Sequence, residues 1–266
     1  MTTITGAVTY SPATIQGQTS SRQAGTAGTS DSSGAATGTT SPAAAGSAKT
    51  LTQAIDAAAN SASYDFATVG KNARTVLDAG ITAYGQTPSS QTTSAQWTKI
   101  FGGMDRRSLF AVSSNQGGQF SAQEQQAATS LMATQLANVG NVSASAPTSE
   151  QIAGYSAKAS FLNNVSPEEK NTASWAYSMA DAQTSARMAD INSRMPQPSG
   201  GSQPLLNVLM GAMYNTRSQS ATPMSFGTVN SLSDITSQPW ASSYASQIES
   251  AFAASYRPGG SFSASV

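Results

Sequence analysis

The sequence predicts an all-α fold, and three observations carry that prediction. Apolar residues recur at i, i+3 and i+4 in one segment after another from Leu51 to Phe252. Helix-starting residues (Ser, Asp, or a Pro at the first helical position) and Gly or Pro breaks punctuate those segments. Alternating, β-branched runs of the kind that make strands are nearly absent.

The elements follow in order. Residues 1–48 are dominated by Gly, Ser, Thr and Ala, with Pro12 and Pro42 as breakers. Such a stretch has too little apolar surface to offset the entropy of ordering, so a disordered tail is expected. Leu51, Ile55 and Ala58 give one apolar face to a short helix. Phe66, Val69, Ala73, Val76 and Leu77 predict a second helix over 63–79, with Gly80 placed to cap it. A polar linker around Pro88 leads to a helical turn or two carrying Trp97, Ile100 and Phe101, ended by Gly102-Gly103. A helix starting at Asp105 carries Leu109, Phe110 and Val112. Gly117-Gly118 breaks it, and the next helix runs through Ala127, Ala128, Leu131, Met132 and Leu136. After a linker over 138–147, a helix over 150–164 aligns Ile152, Tyr155, Ala159 and Leu162. The longest helix is expected from Pro167 to Asn192, lined by Trp175, Met179, Ala182, Ala186 and Ala189. Met195 to Gly201 is a break. A strongly apolar helix opens at Gln203-Pro204 and is either buried or a contact surface. Residues 215–238 read as irregular, Pro239 opens the last helix, and 258–266 read as a flexible tail. The sum is a domain of about eight or nine helices over 49–257.

Charge and composition exclude several functions. Lys plus Arg and Asp plus Glu number 13 each, and charged residues make up 10% of the chain, so no basic surface draws it to nucleic acid or an anionic membrane. There is no cysteine and no histidine. That removes disulfides, thiol nucleophiles, the commonest zinc ligands and the commonest general base. No apolar run reaches the length of a membrane span. The N-terminus lacks a basic n-region and an apolar h-region, so the expectation is a protein that is cytoplasmic or exported by a route without a Sec signal. A weakly charged, Ser/Thr-rich, cysteine-free composition is what exported bacterial surface and appendage proteins often have, an analogy of composition.

One stretch has the layout of a known site: helix, glycine turn, then Phe120-Ser121-Ala122-Gln123-Glu124 opening a second helix. It resembles an EF-hand. That family's twelve-residue loop carries glycine at position six, a glutamate at twelve and ligands at one, three, five, seven and nine. Placing Glu124 at twelve puts Gly118 at six and an apolar Phe120 at eight. Ser113, Asn115, Gln119 and Ser121 then fall at ligand positions, with Gly117 at five. Where the family carries Asp at position one, this chain has neutral Ser113, and Gly117 offers no side chain. One carboxylate implies at most weak Ca²⁺ binding. Val165-Ser166-Pro167-Glu168-Glu169 repeats the ending, so the resemblance implies a degenerate pair of loops over 105–124 and 158–169, with Phe120 beside Val165 in a short bridge. Lys158 at position one and Leu162 at five exclude metal from the second copy. Apolar-Ser-x-x-Glu is also the ordinary staple and capping box of a helix start, which needs no metal.

Little else suggests chemistry. No phosphate-binding, dinucleotide-binding or nucleophile-elbow motif occurs. Glu168-Glu169 sit at a helix start, where acids are favoured anyway. Asp181 and Asp190 lie in the expected long helix, close enough to Arg187 and Arg194 for ordinary ion pairs, and Arg106-Arg107 reads as a helix surface. The expectation is a non-enzymatic structural or interaction protein with a protein partner or self-association. The alternatives are a weak Ca²⁺ binder and a carboxylate-based hydrolase of cell-wall or matrix glycan.

Overall fold

Caps and breakers delimit eleven helices among the described residues, in the order α1 (Pro42–Ala59), α2 (Phe66–Tyr84), α3 (Ser94–Phe101), α4 (Arg106–Ser113), α5 (Ala122–Asn138), α6 (Thr148–Asn163), α7 (Pro167–Lys170), α8 (Ala173–Ala189), α9 (Gln203–Gln219), α10 (Leu232–Thr236) and α11 (Ala245–Ser255). The computed structural model describes residues 42–255 apart from 144, 193, 202 and 221–228, with side chains from Leu51 onward. The expected tails lie mostly outside the described residues. Within them, α1 begins at Pro42, inside the segment expected to be disordered. The fold is all-α, with no strand among the described residues, and no described helix is long and apolar enough to cross a membrane.

The helices form two groups, each around its own apolar core. α1 to α5 enclose Leu77, Trp97, Ile100, Phe101, Leu109, Phe120 and their neighbours. α6 to α11 enclose Leu162, Trp175, Met179, Leu205, Leu209, Met213, Ile235 and Ile248. The extensive helix–helix packings, such as α2 on α4, α4 on α5, α6 on α8 and α8 on α9, all fall inside one group or the other. Between the groups runs the linker over 139–147, and Leu136 of α5 packs against the second core.

Several helix boundaries differ from the sequence reading, each for a local reason. α2 runs through Gly80 and is capped by Gly85 at φ 76°. Gly80 serves packing instead: a Cβ there would collide with the Ile100 carbonyl of α3. Ile55 points outward at 44% exposure, and α1 buries Ala54, Ala57 and Ala58. The expected long helix is two. Asn171 ends α7, and Thr172 caps α8, its Oγ1 accepting from the Trp175 N–H at 3.1 Å. The same hydroxyl donates to the Glu169 carbonyl at 2.7 Å, locking the kink. α9 continues to Gln219 and α10 occupies 232–236, where irregular chain was expected. The apolar face of α9 is buried, with Leu205, Leu206, Leu209 and Met213 fully covered.

Candidate functional site

The loop between α4 and α5 folds as its glycines and capping residues require. Asn115, Gly117 and Gly118 all take positive φ, at 53°, 75° and 69°. Asparagine and glycine are the residues that tolerate this region. The Asn115 Oδ1 accepts from the Phe120 N–H at 2.9 Å, which closes the turn. Ser121 and Glu124 form a complete capping box at the start of α5. Ser121 Oγ accepts from the Glu124 N–H, and Glu124 Oε2 accepts from the Ser121 N–H at 2.8 Å.

The candidate ligand set is turned to other partners. Arg74 of α2 lies across Glu124, donating to Oε2 at 2.9 Å and to Oε1 at 3.1 Å, and its guanidinium also reaches the Gln119 carbonyl. Burial works to raise the Glu124 carboxyl, but the Arg74 bonds outweigh it and hold it below the ordinary carboxylate range. Ser113 Oγ donates to the Phe110 carbonyl, and the Gln119 amide donates to the Gln116 carbonyl. A fixed guanidinium charge on both oxygens of the sole carboxylate does not fit a Ca²⁺ site, which needs that carboxylate free for the ion. The Phe120–Val165 bridge is likewise not formed. The two residues are buried in different cores, and the Phe120 N–H bonds to Asn115.

The chain places its strongest electrostatics one helix earlier, at Asp105-Arg106-Arg107. Asp105 caps α4 and accepts from the backbone N–H of Ser61 at 2.7 Å and from its hydroxyl at 3.0 Å. Arg106 donates through Nε and Nη2 to the Glu169 carboxylate, at 2.7 Å for the shortest contact. Its Nη1 holds the Met132 carbonyl and Gln135 Oε1 of α5, and its Cζ lies over the Phe161 ring, 4.8 Å from the centroid. Arg107 is bidentate to Glu168, at 3.0 and 2.6 Å, and its Nη1 holds the Ser61 and Tyr64 carbonyls. Each arginine therefore grips its own helix group with one edge and the other group with the opposite edge. The expected helix-surface role of Arg106-Arg107 gives way to this double clamp. The fork of a guanidinium suits it, since it satisfies a carboxylate and carbonyls at once.

The clamp is nearly dry. The Glu169 side chain is 6% exposed and that of Arg106 16%. Burial pushes the Glu169 carboxyl up against the pull of Arg106, whereas at Glu168 the Arg107 bond overcomes burial and lowers the carboxyl. Asp181 pairs across helices with Arg217 of α9 at 2.7 Å, not with Arg187, which lies over the Tyr214 ring. Beside the clamp, a cleft of ≈ 620 Å³ opens between the helix groups, reached by Arg106, Lys158, Glu169 and Asp181.

Sequence reasoning missed Arg74, Arg217 and the pairing of Arg106-Arg107 with Glu168-Glu169. Only the i, i+4 spacing of Arg74 and Asp78, paired at 2.6 Å, was visible in the chain. No protein-family model, curated protein or solved structure matches this chain.

Proposed function

We propose that this chain is a non-enzymatic structural or interaction protein that engages a protein partner or further copies of itself, exported or surface-associated in a bacterium. Its two EF-hand-like helix–loop–helix segments act as joints between helices and not as metal sites. One observation carries the reading: of the carboxylates weighed, Glu124, Glu168, Glu169 and Asp181 are each bonded by an arginine from another helix, while Asp190 accepts from the Asn192 N–H of its own turn. An acid or base for glycan hydrolysis has to reach its substrate. The arginine-bonded groups instead hold helices in register. The weakly charged, cysteine-free composition supports a setting outside the cytoplasm.

The test is to fractionate producing cells and medium, then cross-link the full-length chain in the fraction that contains it. Recovery from the surface or medium, in a defined adduct with another protein or with its own copies, supports the proposal. An uncross-linked chain in the cytosol that releases sugar from a peptidoglycan preparation overturns it.

A further inference from the structure

We propose that the cleft between the two helix groups binds a small organic anion with an apolar body, anchored by Lys158. The cleft volume, ≈ 620 Å³, falls within the span of small-molecule sites, and junctions between packed units are where such sites concentrate. Its walls come from α4, α5, α6, α7 and α8, with Val229 and Asn230 at one edge. Leu136, Ala133 and Ala137 present apolar surface, over a floor of the nearly covered Phe110, Met132, Leu162 and Trp175.

The charges in the cleft select the ligand. Four charged side chains line it, in a chain with only 10% charged residues. Arg106 is neutralised by Glu169, and Asp181 by Arg217. Lys158 has no hydrogen-bond or ion-pair partner among the described residues, so the cleft carries one unmatched positive charge. Around it, Ser178 offers a hydroxyl, and burial pushes the Tyr177 hydroxyl up, keeping it a neutral group. A cation beside apolar walls attracts an anion more strongly than the same cation in open water. An inorganic anion would leave the apolar walls uncovered, whereas a carboxylate or sulfonate on a ring or aliphatic body matches both features. Lys158 also fills position one of the second EF-hand-like segment, where it bars a metal; the same charge that excludes a cation there recruits an anion here.

The experiment uses two fluorescent probes with the full-length chain. 1-Anilinonaphthalene-8-sulfonate carries rings and one sulfonate, and N-phenyl-1-naphthylamine carries the same rings without charge. The sulfonate is expected to bind saturably at one site. Lys158→Glu should weaken it about tenfold or more and Lys158→Gln about fivefold, while Lys158→Arg retains it; these are the sizes of one charge-assisted contact. The uncharged dye should bind Lys158→Glu and the unaltered protein alike. Circular dichroism and the thermal midpoint establish that each variant is folded, and Lys158→Gln carries the test if the charge reversal is not. The proposal is overturned if the sulfonate shows no saturable binding, if it binds the folded Lys158 variants as tightly as the unaltered protein, or if both dyes lose affinity together.

Discussion

Replacing Arg106 with methionine tests the clamp most directly. The substitution keeps an unbranched apolar stem against Phe161 and removes the charge. It leaves Glu169, 6% exposed, without its guanidinium, and leaves the Met132 carbonyl and Gln135 without a donor. Breaking a buried pair from one side costs about 3–5 kcal/mol, because the remaining charge stays buried and uncompensated. Glu169 has the escape open to any orphaned buried carboxylate. Burial already pushes it up, so it can take a proton and become neutral. The expected loss is therefore about 3 kcal/mol at neutral pH, the lower end of that range, and it shrinks as the pH falls and protonation relieves the buried charge. In the double variant Arg106→Met with Glu169→Leu, the orphaned carboxylate is gone. Most of the loss should be recovered, giving a coupling of about 2 kcal/mol in the double-mutant cycle. Urea titration measures this, with tryptophan emission and circular dichroism followed together. Trp97 reports on the first core, and Trp175 and Trp240 on the second. If the halves come apart before either unfolds, the two signals will cease to coincide in the single variant. A loss under about 1 kcal/mol with additive effects in the cycle would place the pair among solvent-screened surface contacts, and the reasoning would be wrong.

Other outcomes follow from the same geometry. Gly80→Ala should destabilise by about 2 kcal/mol or more, since its Cβ would meet the backbone of Ile100, which cannot swing aside as a side chain can; chemical denaturation reads this, and an unchanged midpoint would show that α2 and α3 can separate at no cost. Acid should weaken the fold through Glu124 and Glu168. Both are held below the ordinary value of 4.5, so as pH falls through and below that value the unfolded chain takes up protons first, and the stability that these groups contribute above it is lost. Glu124→Gln and Glu168→Gln should flatten that acid limb. Glu169, shifted the other way, favours folding when protonated, so Glu169→Gln should not flatten it; denaturation midpoints from pH 3 to 7 compare the three. Isothermal calorimetry with Ca²⁺ should show no binding tighter than about millimolar, because Arg74 sits on both oxygens of Glu124; micromolar affinity would mean that the guanidinium leaves for the ion.

The sequence by itself determined what is local. Helical periodicity placed nearly every helix, and the capping box at Ser121 and Glu124 and the glycine turn before it could be read from residues within a few positions of one another. Those features rest on backbone hydrogen bonds and φ preferences, which neighbours in the chain decide. Gly80 marks the limit of that reading. As a letter it is a helix stop; only the approach of α3 shows it to be the gap that lets two backbones meet. Glu124 likewise fits the last ligand of a metal loop until Arg74, fifty positions earlier, is seen across it. Of the two charge doublets, Arg106-Arg107 reads as an ordinary helix surface and Glu168-Glu169 as an acidic helix start, and nothing in either segment names the other. Their pairing arises because charged groups removed from water must find opposite charge, and which opposite charge lies within reach is settled by how the two groups of helices pack.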